Sequence, residues 1–253
     1  MATLSQYLFV VGALLLLFGF MLSVAYTTLL AAGRRTTVTS GEPQLAAVGA
    51  GDVSVAVTAP GAPLPGASTI GALAHGLTWA AFLALAGSLL TRAVVVERGP
   101  WGNMYEFSIA FAVGIVGGYL FLQRRYPIRS IAFLPLGVAL FLAGYAATLP
   151  ATIEPLVPAL DNPPLLTVHV AMAMIAYGVL AVSFGAAVGY LVQGEGDRYG
   201  WLPSHKVLDE VAYRSVVIGF PIFATMIILG SYWASIAWGR YWGWDPKETS
   251  ALV

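Results

Sequence analysis

"PLLTVHVAMAMIAYGVLAVSFGAAVGYLV", residues 164–192, contains no Asp, Glu, Lys or Arg. About 20 apolar residues in a helix cross a bilayer core. No other open structure satisfies its own backbone in lipid. The stretch therefore predicts a membrane-spanning helix with one ionisable group, His169, about one turn inside its start. Five further stretches of this kind run at roughly 7–32, 69–91, 104–123, 130–150 and 215–237. The third is the least regular, because Glu106 stands near its beginning. Composition agrees: 58% of the chain is hydrophobic and 9% charged, where a soluble domain carries about a quarter charged residues. The expected fold is an all-α, polytopic transmembrane helix bundle, one membrane domain over 1–253, with six complete spans and the start of another.

Basic residues give the orientation, since they concentrate on the cytoplasmic side. Arg34, Arg35, Arg124, Arg125, Arg129, Arg198, Lys206 and Arg214 fall on one side if the spans alternate. Only Arg92, Arg98, Arg240 and Lys247 fall on the other. The N-terminus is thus expected outside, with loops 93–103 and 151–163. The first apolar run has no basic n-region and reads as a retained span. Segment 33–68, rich in Gly, Ala, Pro, Ser, Thr and Val, reads as a flexible cytoplasmic linker. A net charge of zero gives no reason to expect nucleic acid. The absence of cysteine excludes disulfides, thiolate-bound metal and thiol exchange by this chain. No H-E-x-x-H, Gly-rich phosphate loop or G-x-S-x-G is present.

Two stretches on the expected outer face share a grammar. In "WGRYWGWDPKET", 238–249, Asp245 suits an N-cap, Pro246 the first helical position and Glu248 the third. In "WGNMYEFS", 101–108, Asn103 suits the cap and Glu106 the third position. Capping and direct chemistry are both open for these four residues. Ser250 to Val253 leave no room for a further membrane helix, so the sequence is expected to be a piece of a longer chain. Trp233, Trp238, Trp242 and Trp244 gather in an external Trp-rich loop, 233–250, with Gly239 and Gly243 between them. An interfacial aromatic belt explains tryptophans in general; a flat apolar ligand lying on the loop explains their density. His169 is either hydrogen-bonded to a neighbouring helix or a functional group, since an ionisable residue at that depth raises a site hypothesis. His75, near the inner end of span two, reads as packed or as a ligand there. His205 reads as a solvated loop residue.

"AWGRYWGWDPKET" resembles the tryptophan-rich WWD signature of haem-handling cytochrome c assembly proteins, through Trp238, Gly239, Trp242, Trp244, Asp245, Lys247 and Glu248. "WGNMYEFS" resembles that family's Asn-x-Tyr-Glu stretch, through Asn103, Tyr105 and Glu106, with Trp101 before them. "VHVAMAMIAYG" resembles the helix bearing the first external haem-ligating His, here His169. The likeness is greatest to the CcsA/ResC branch of system II cytochrome c maturation. It implies that haem b is bound on the outer face of a bacterial plasma membrane or a thylakoid membrane. His169 would be an axial ligand of the iron, and Trp101, Asn103, Tyr105, Glu106, Trp238, Trp242, Trp244 and Asp245 would line the site. It implies a CcsB/ResB-type membrane partner and an apocytochrome c whose Cys-x-x-Cys-His receives the haem, a haem-lyase activity. A second axial His is expected beyond residue 253. No catalytic residue is singled out, because such a protein supplies position and water exclusion. A haem transporter without synthase activity is the alternative, and a structural membrane subunit a third reading.

Overall fold

The computed structural model describes residues 1–39, 64–153, 155, 156, 158, 163–194 and 196–252. Seven α-helices follow in order: α1 (Ala2–Thr39), α2 (Ala67–Val96), α3 (Met104–Gln123), α4 (Phe133–Ala147), α5 (Pro163–Gln193), α6 (His205–Trp238) and α7 (Pro246–Leu252). A 3-10 turn, Arg129–Ile131, precedes α4. Six of the helices are long and apolar enough to cross a membrane, as the sequence predicts.

Two boundaries differ from the sequence reading. The first helix runs on to Thr39, taking in residues assigned to the linker; positions 40–63 of that linker lie outside the described residues. The last long helix starts at His205, ten residues before the predicted span. Ser204 caps it, its Oγ accepting from the Val207 N–H at 3.4 Å. Its early turns carry Lys206, Asp209, Glu210 and Arg214, which hydropathy discounts but a helix tolerates beyond the hydrocarbon. At 1.5 Å per residue, α6 spans about 50 Å, well over the roughly 30 Å of apolar bilayer.

Contacts confirm the alternation. Ser5 and Ser88 exchange hydrogen bonds between the N-terminal end of α1 and the C-terminal end of α2. Thr27, near the other end of α1, donates to the Ser130 carbonyl at 2.8 Å. Helix α3 is the centre: it packs on α2, α4 and α5, and 72% of its apolar window is buried. Helix α6 is the edge: it packs chiefly on α5, with 17% buried.

Small residues bring α3 against α5. A Cβ at Gly114 would run into the Met174 carbonyl, and one at Gly178 into the Gly114 carbonyl. Such close backbone approach supplies the van der Waals contact on which membrane helices rely, since lipid removes most of the hydrophobic drive for association. Gly144 on α4 faces open space. Gly178→Val should therefore push α3 from α5 and lower unfolding stability in detergent by about 2–3 kcal/mol. Gly144→Ala should leave it unchanged or slightly raised. Equal behaviour of the two variants in thermal unfolding would show that the α3–α5 approach carries no stability.

Candidate functional site

The loops joining α2 to α3 and α4 to α5 meet around a buried ion pair. Arg92, from the last turns of α2, and Glu106, from the first turn of α3, are each 1% exposed. Arg92 Nε donates to Glu106 Oε1 at 2.5 Å. The rest of the guanidinium donates to the carbonyls of Ala151 and Thr152, at 2.9 and 3.0 Å. Glu106 Oε2 accepts from the Gly102 N–H at 2.6 Å, and Arg98 lies 3.8 Å away. The Tyr105 ring sits 5.1 Å beneath the Arg92 guanidinium. A buried pair is tolerable when its spare donors and acceptors find partners in this way.

This arrangement decides what the Asn-x-Tyr-Glu stretch does in the fold. Asn103 caps α3, its Oδ1 accepting from the Glu106 N–H at 2.9 Å while its Nδ2 donates to the Thr152 carbonyl at 3.1 Å. Tyr105, Glu106 and Trp101 are buried in the core rather than presented on a surface. Among the described residues the indole N–H of Trp101 and the Tyr105 hydroxyl find no hydrogen-bond partner. Arg92 is the partner of Glu106 that the sequence reading missed. The available signal was a charged residue at the end of one span opposite a charged residue at the start of the next.

The second capping motif builds the tryptophan end. Helix α6 stops at Gly239, whose φ of 71° lies in the left-handed region and whose N–H reaches back to the Ser235 carbonyl at 3.1 Å. Trp233 and Trp238 are thus helical, not part of a loop. Asp245 Oδ1 accepts from the Glu248 N–H at 2.8 Å, and Glu248 Oε2 accepts from the Gly243 and Asp245 N–H groups at 2.7 and 3.2 Å. This is the expected capping box, and it starts α7. It also pins the backbone on both sides of Trp244, a non-glycine residue held at φ 55°. Such a conformation costs on the order of 1–2 kcal/mol and persists where its surroundings enforce it.

Beneath this box lies an open apolar groove of about 710 Å³, lined by α6 residues 227–229, 231 and 232 with Tyr241, Trp242, Trp244 and Leu252. Its size falls within the roughly 300–1,000 Å³ of small-molecule sites. The Trp242 and Trp244 rings meet edge to face, with centroids 5.7 Å apart. Trp238 is 59% exposed and lies outside the groove.

His169 points elsewhere. Its Nδ1 lies 3.0 Å from the Met226 carbonyl, its ring edge rests over Gly230, and Trp233 packs edge-on at 5.8 Å. A carbonyl only accepts, so a neutral ring carries its proton on Nδ1 and keeps the Nε2 lone pair. Met226, Gly230 and Trp233 follow the i, i+4, i+7 spacing of one helix face. Ile227, Ile228, Ser231 and Tyr232 of the groove lie round the other side. Helix α6 therefore separates His169 from Trp242 and Trp244. No group of three or more His, Asp or Glu suited to a metal occurs among the described residues. His205 opens α6 and stacks on Tyr190 at 3.6 Å instead of standing free in a loop. His75 lines a small cavity near the opposite end of the bundle.

A family model described as cytochrome C assembly protein matches residues 101–253. The "cytochrome c biogenesis protein CcsA" of Pyropia yezoensis is 28% identical over 235 residues, covering 75% of this chain and 73% of that protein. The protein of the same description from Gloeothece citriformis is 28% identical over 248 residues, covering 76% and 75%. That from a Synechococcus is 31% identical over 209 residues, covering 70% and 67%.

Two outcomes follow from the two capped corners. Arg92→Ala or Glu106→Ala alone should lower unfolding stability by about 3–5 kcal/mol, because each strands a buried charge. Arg92→Met combined with Glu106→Leu should recover most of the loss; additive losses in the double variant would mean that the pair does not couple. At the other corner, Asp245→Ala should cost about 1 kcal/mol of α7 order and Asp245→Asn a few tenths, read from amide hydrogen exchange over Pro246–Leu252. Equal exchange in both variants would assign the carboxylate a role beyond capping.

Proposed function

The chain belongs to the cytochrome c assembly family and is a multi-pass membrane protein of cytochrome c biogenesis, and from that premise we propose that it binds haem b, as its substrate, at the tryptophan-bearing end of the bundle. The observation that carries this reading is the groove under Trp242 and Trp244: apolar, open on one side, walled by aromatic rings and fixed by the Asp245–Glu248 box. A porphyrin is flat and apolar, and indole faces give it contact area at little entropic cost. Its propionates are anionic and suit Arg240 and Lys247, which flank the groove's tryptophans in sequence. Trp101, Asn103, Tyr105 and Glu106 contribute indirectly, as the framework of the α2–α3 corner.

His169 is proposed as an axial ligand through Nε2, its tautomer held by the Met226 carbonyl, in the way a second partner on the other nitrogen orients ligating histidines generally. One haem touches both His169 and the groove only if the outer part of α6 shifts. Pro221, inside α6, removes a backbone hydrogen bond nine residues below Gly230 and gives that part of the helix a place to bend. The haem then faces the outside, where positive-inside counting puts this end in a bacterial plasma or thylakoid membrane. A CcsB/ResB-type membrane partner and an apocytochrome c complete the assembly.

The attachment asks little bond-making of this chain. A client cysteine S–H adds across a haem vinyl C=C: the S–C bond forms at one vinyl carbon and the hydrogen goes to the other, with no oxidant consumed. The protein contributes position and exclusion of water. Having no cysteine, it cannot trap the client's thiols in a mixed disulfide.

The test is haem per protein in the purified full chain, together with haem covalently bound to a co-expressed Cys-x-x-Cys-His client. Trp242→Ala and Trp244→Ala should each weaken haem retention by about tenfold, while Trp238→Phe, outside the groove, stays near normal. His169→Ala should change the haem absorption spectrum and respond to added imidazole. Normal loading in both groove variants would remove the groove from the site, and an unchanged spectrum would remove His169. Retained haem without any thioether product would favour the transporter reading.

A further inference from the structure

At the end of the bundle opposite the tryptophans, three arginines converge on one groove. It has a volume of about 710 Å³ and lies between α1, the turn after α3, the 3-10 turn and the loop before α6. Arg124, Arg125 and Arg129 line it, with Tyr26, Tyr126 and Trp201. Among the described residues no carboxylate lines it, and none of the three arginines forms an ion pair. Glu210 pairs with Arg214 at 2.7 Å, and Asp197 accepts from the His205 N–H at 2.6 Å.

The groove is built rather than incidental. Ile128 and Ile131, on either side of Arg129, are buried at 0% and 1% exposure and anchor the turn that carries it. The Thr27–Ser130 hydrogen bond ties that turn to α1. Arg124 holds its guanidinium carbon 5.0 Å from the Trp79 ring centroid, a cation–π contact that anchors the side chain. At the floor, Tyr26, Gln123 and Arg129 also line a smaller enclosed cavity of about 10 Å³ that reaches His75 and Tyr119. That is room for roughly one water. Among the described residues both amide atoms of Gln123, and Nδ1 of His75, are buried there without a well-formed hydrogen bond, and the two side chains face each other. One water in the throat would satisfy them and make the Gln123 amide the polar base of the groove.

We propose that this groove is a binding site for the phosphate headgroup of an anionic phospholipid. Unpaired guanidinium groups present forked donors that match phosphate oxygens. Gln123 Nε2 adds a neutral donor at the base. Tyr26, Tyr126 and Trp201 are the ring types that sit at headgroup level, with apolar bodies and polar tips. Leu30, on the α1 side of the groove, opens it toward the apolar flank along which acyl chains run. Basic pockets between membrane helices on the arginine-rich side bind such headgroups in general. The site is independent of the haem reading and makes no use of the tryptophan end.

The experiment uses the purified full chain in detergent, titrated with short-chain phosphatidylglycerol or with phosphatidylcholine of the same chain length. Bound lipid is read by native mass spectrometry and stability by thermal unfolding. Phosphatidylglycerol should bind and raise Tm; phosphatidylcholine should do neither. Arg125→Gln and Arg129→Gln should each weaken phosphatidylglycerol about fivefold, the factor for ~1 kcal/mol per basic residue at an anionic surface. Arg129→Lys should fall between Arg129→Gln and the unsubstituted chain, because it keeps the charge and loses the fork. Arg214→Gln, at an exposed charge on the same side but outside the groove, should leave it unchanged. Equal binding of both lipids, or an equal loss with Arg214→Gln, would overturn the site in favour of general surface charge. Displacement by millimolar inorganic phosphate would assign the groove to a free anion instead of a lipid. Displacement by haem, with the same arginine dependence, would assign it to a dicarboxylate macrocycle.

Discussion

The Arg92–Glu106 pair is the constraint on which one whole end of the molecule depends. Two charges are fully buried between helices that are otherwise apolar, and each is neutralised chiefly by the other, with Arg98 at the edge of the pair. The pair fixes the distance between the last turn of α2 and the first turn of α3. Through its remaining donors it also fixes the chain leaving α4, because Ala151 and Thr152 can satisfy the guanidinium only where they now lie. Asn103 repeats that tether from α3. Two connections, α2 to α3 and α4 to α5, are thereby held by one interaction, and the central helix is seated where α5 can pack against its glycines. A hydrophobic substitute would fill the space without aiming any of these backbones.

Helix α6 has the opposite character. It leans mainly on α5 and leaves most of its surface free, so its two faces lead different lives. One face carries Met226, Gly230 and Trp233 and closes over His169. The other carries the wall of the aromatic groove. The bundle thus holds a rigid half, organised around α3, and a peripheral half in which the tryptophans, the capping box and a proline-containing helix come together. Ligand sites that must admit and release a large substrate are drawn from regions of this second kind.

Much of this was legible in the sequence because it is local. Span existence follows from runs of uncharged residues, and all six were found. Both N-caps could be read from residues three apart, since a cap involves only its own turn. The one-sided distribution of arginine and lysine was consistent with spans that alternate in direction. Helix ends were less legible. The start of α6 carries charges that hydropathy treats as a boundary, although the Ser204 cap was in view. Trp233 was assigned to a loop because it belongs to a tryptophan cluster in sequence, while α6 simply continues through it.

The sequence by itself determined that this is an all-helical membrane protein with six spanning helices, and that a tryptophan-rich turn and an Asp–Glu box follow the last of them. Each of those properties depends on residues within a turn or two of one another. The tertiary structure decided which side chains share a space. It turned Glu106 and Tyr105 inward to Arg92, set His169 and the Trp242–Trp244 groove on opposite faces of one helix, and gathered three arginines from one connecting segment around the buried amide of Gln123. Those outcomes depend on the rotation of each helix about its axis. That rotation is set by close glycine contacts and one buried ion pair between segments distant in the chain, and in lipid no polar face exists to betray it in the sequence pattern.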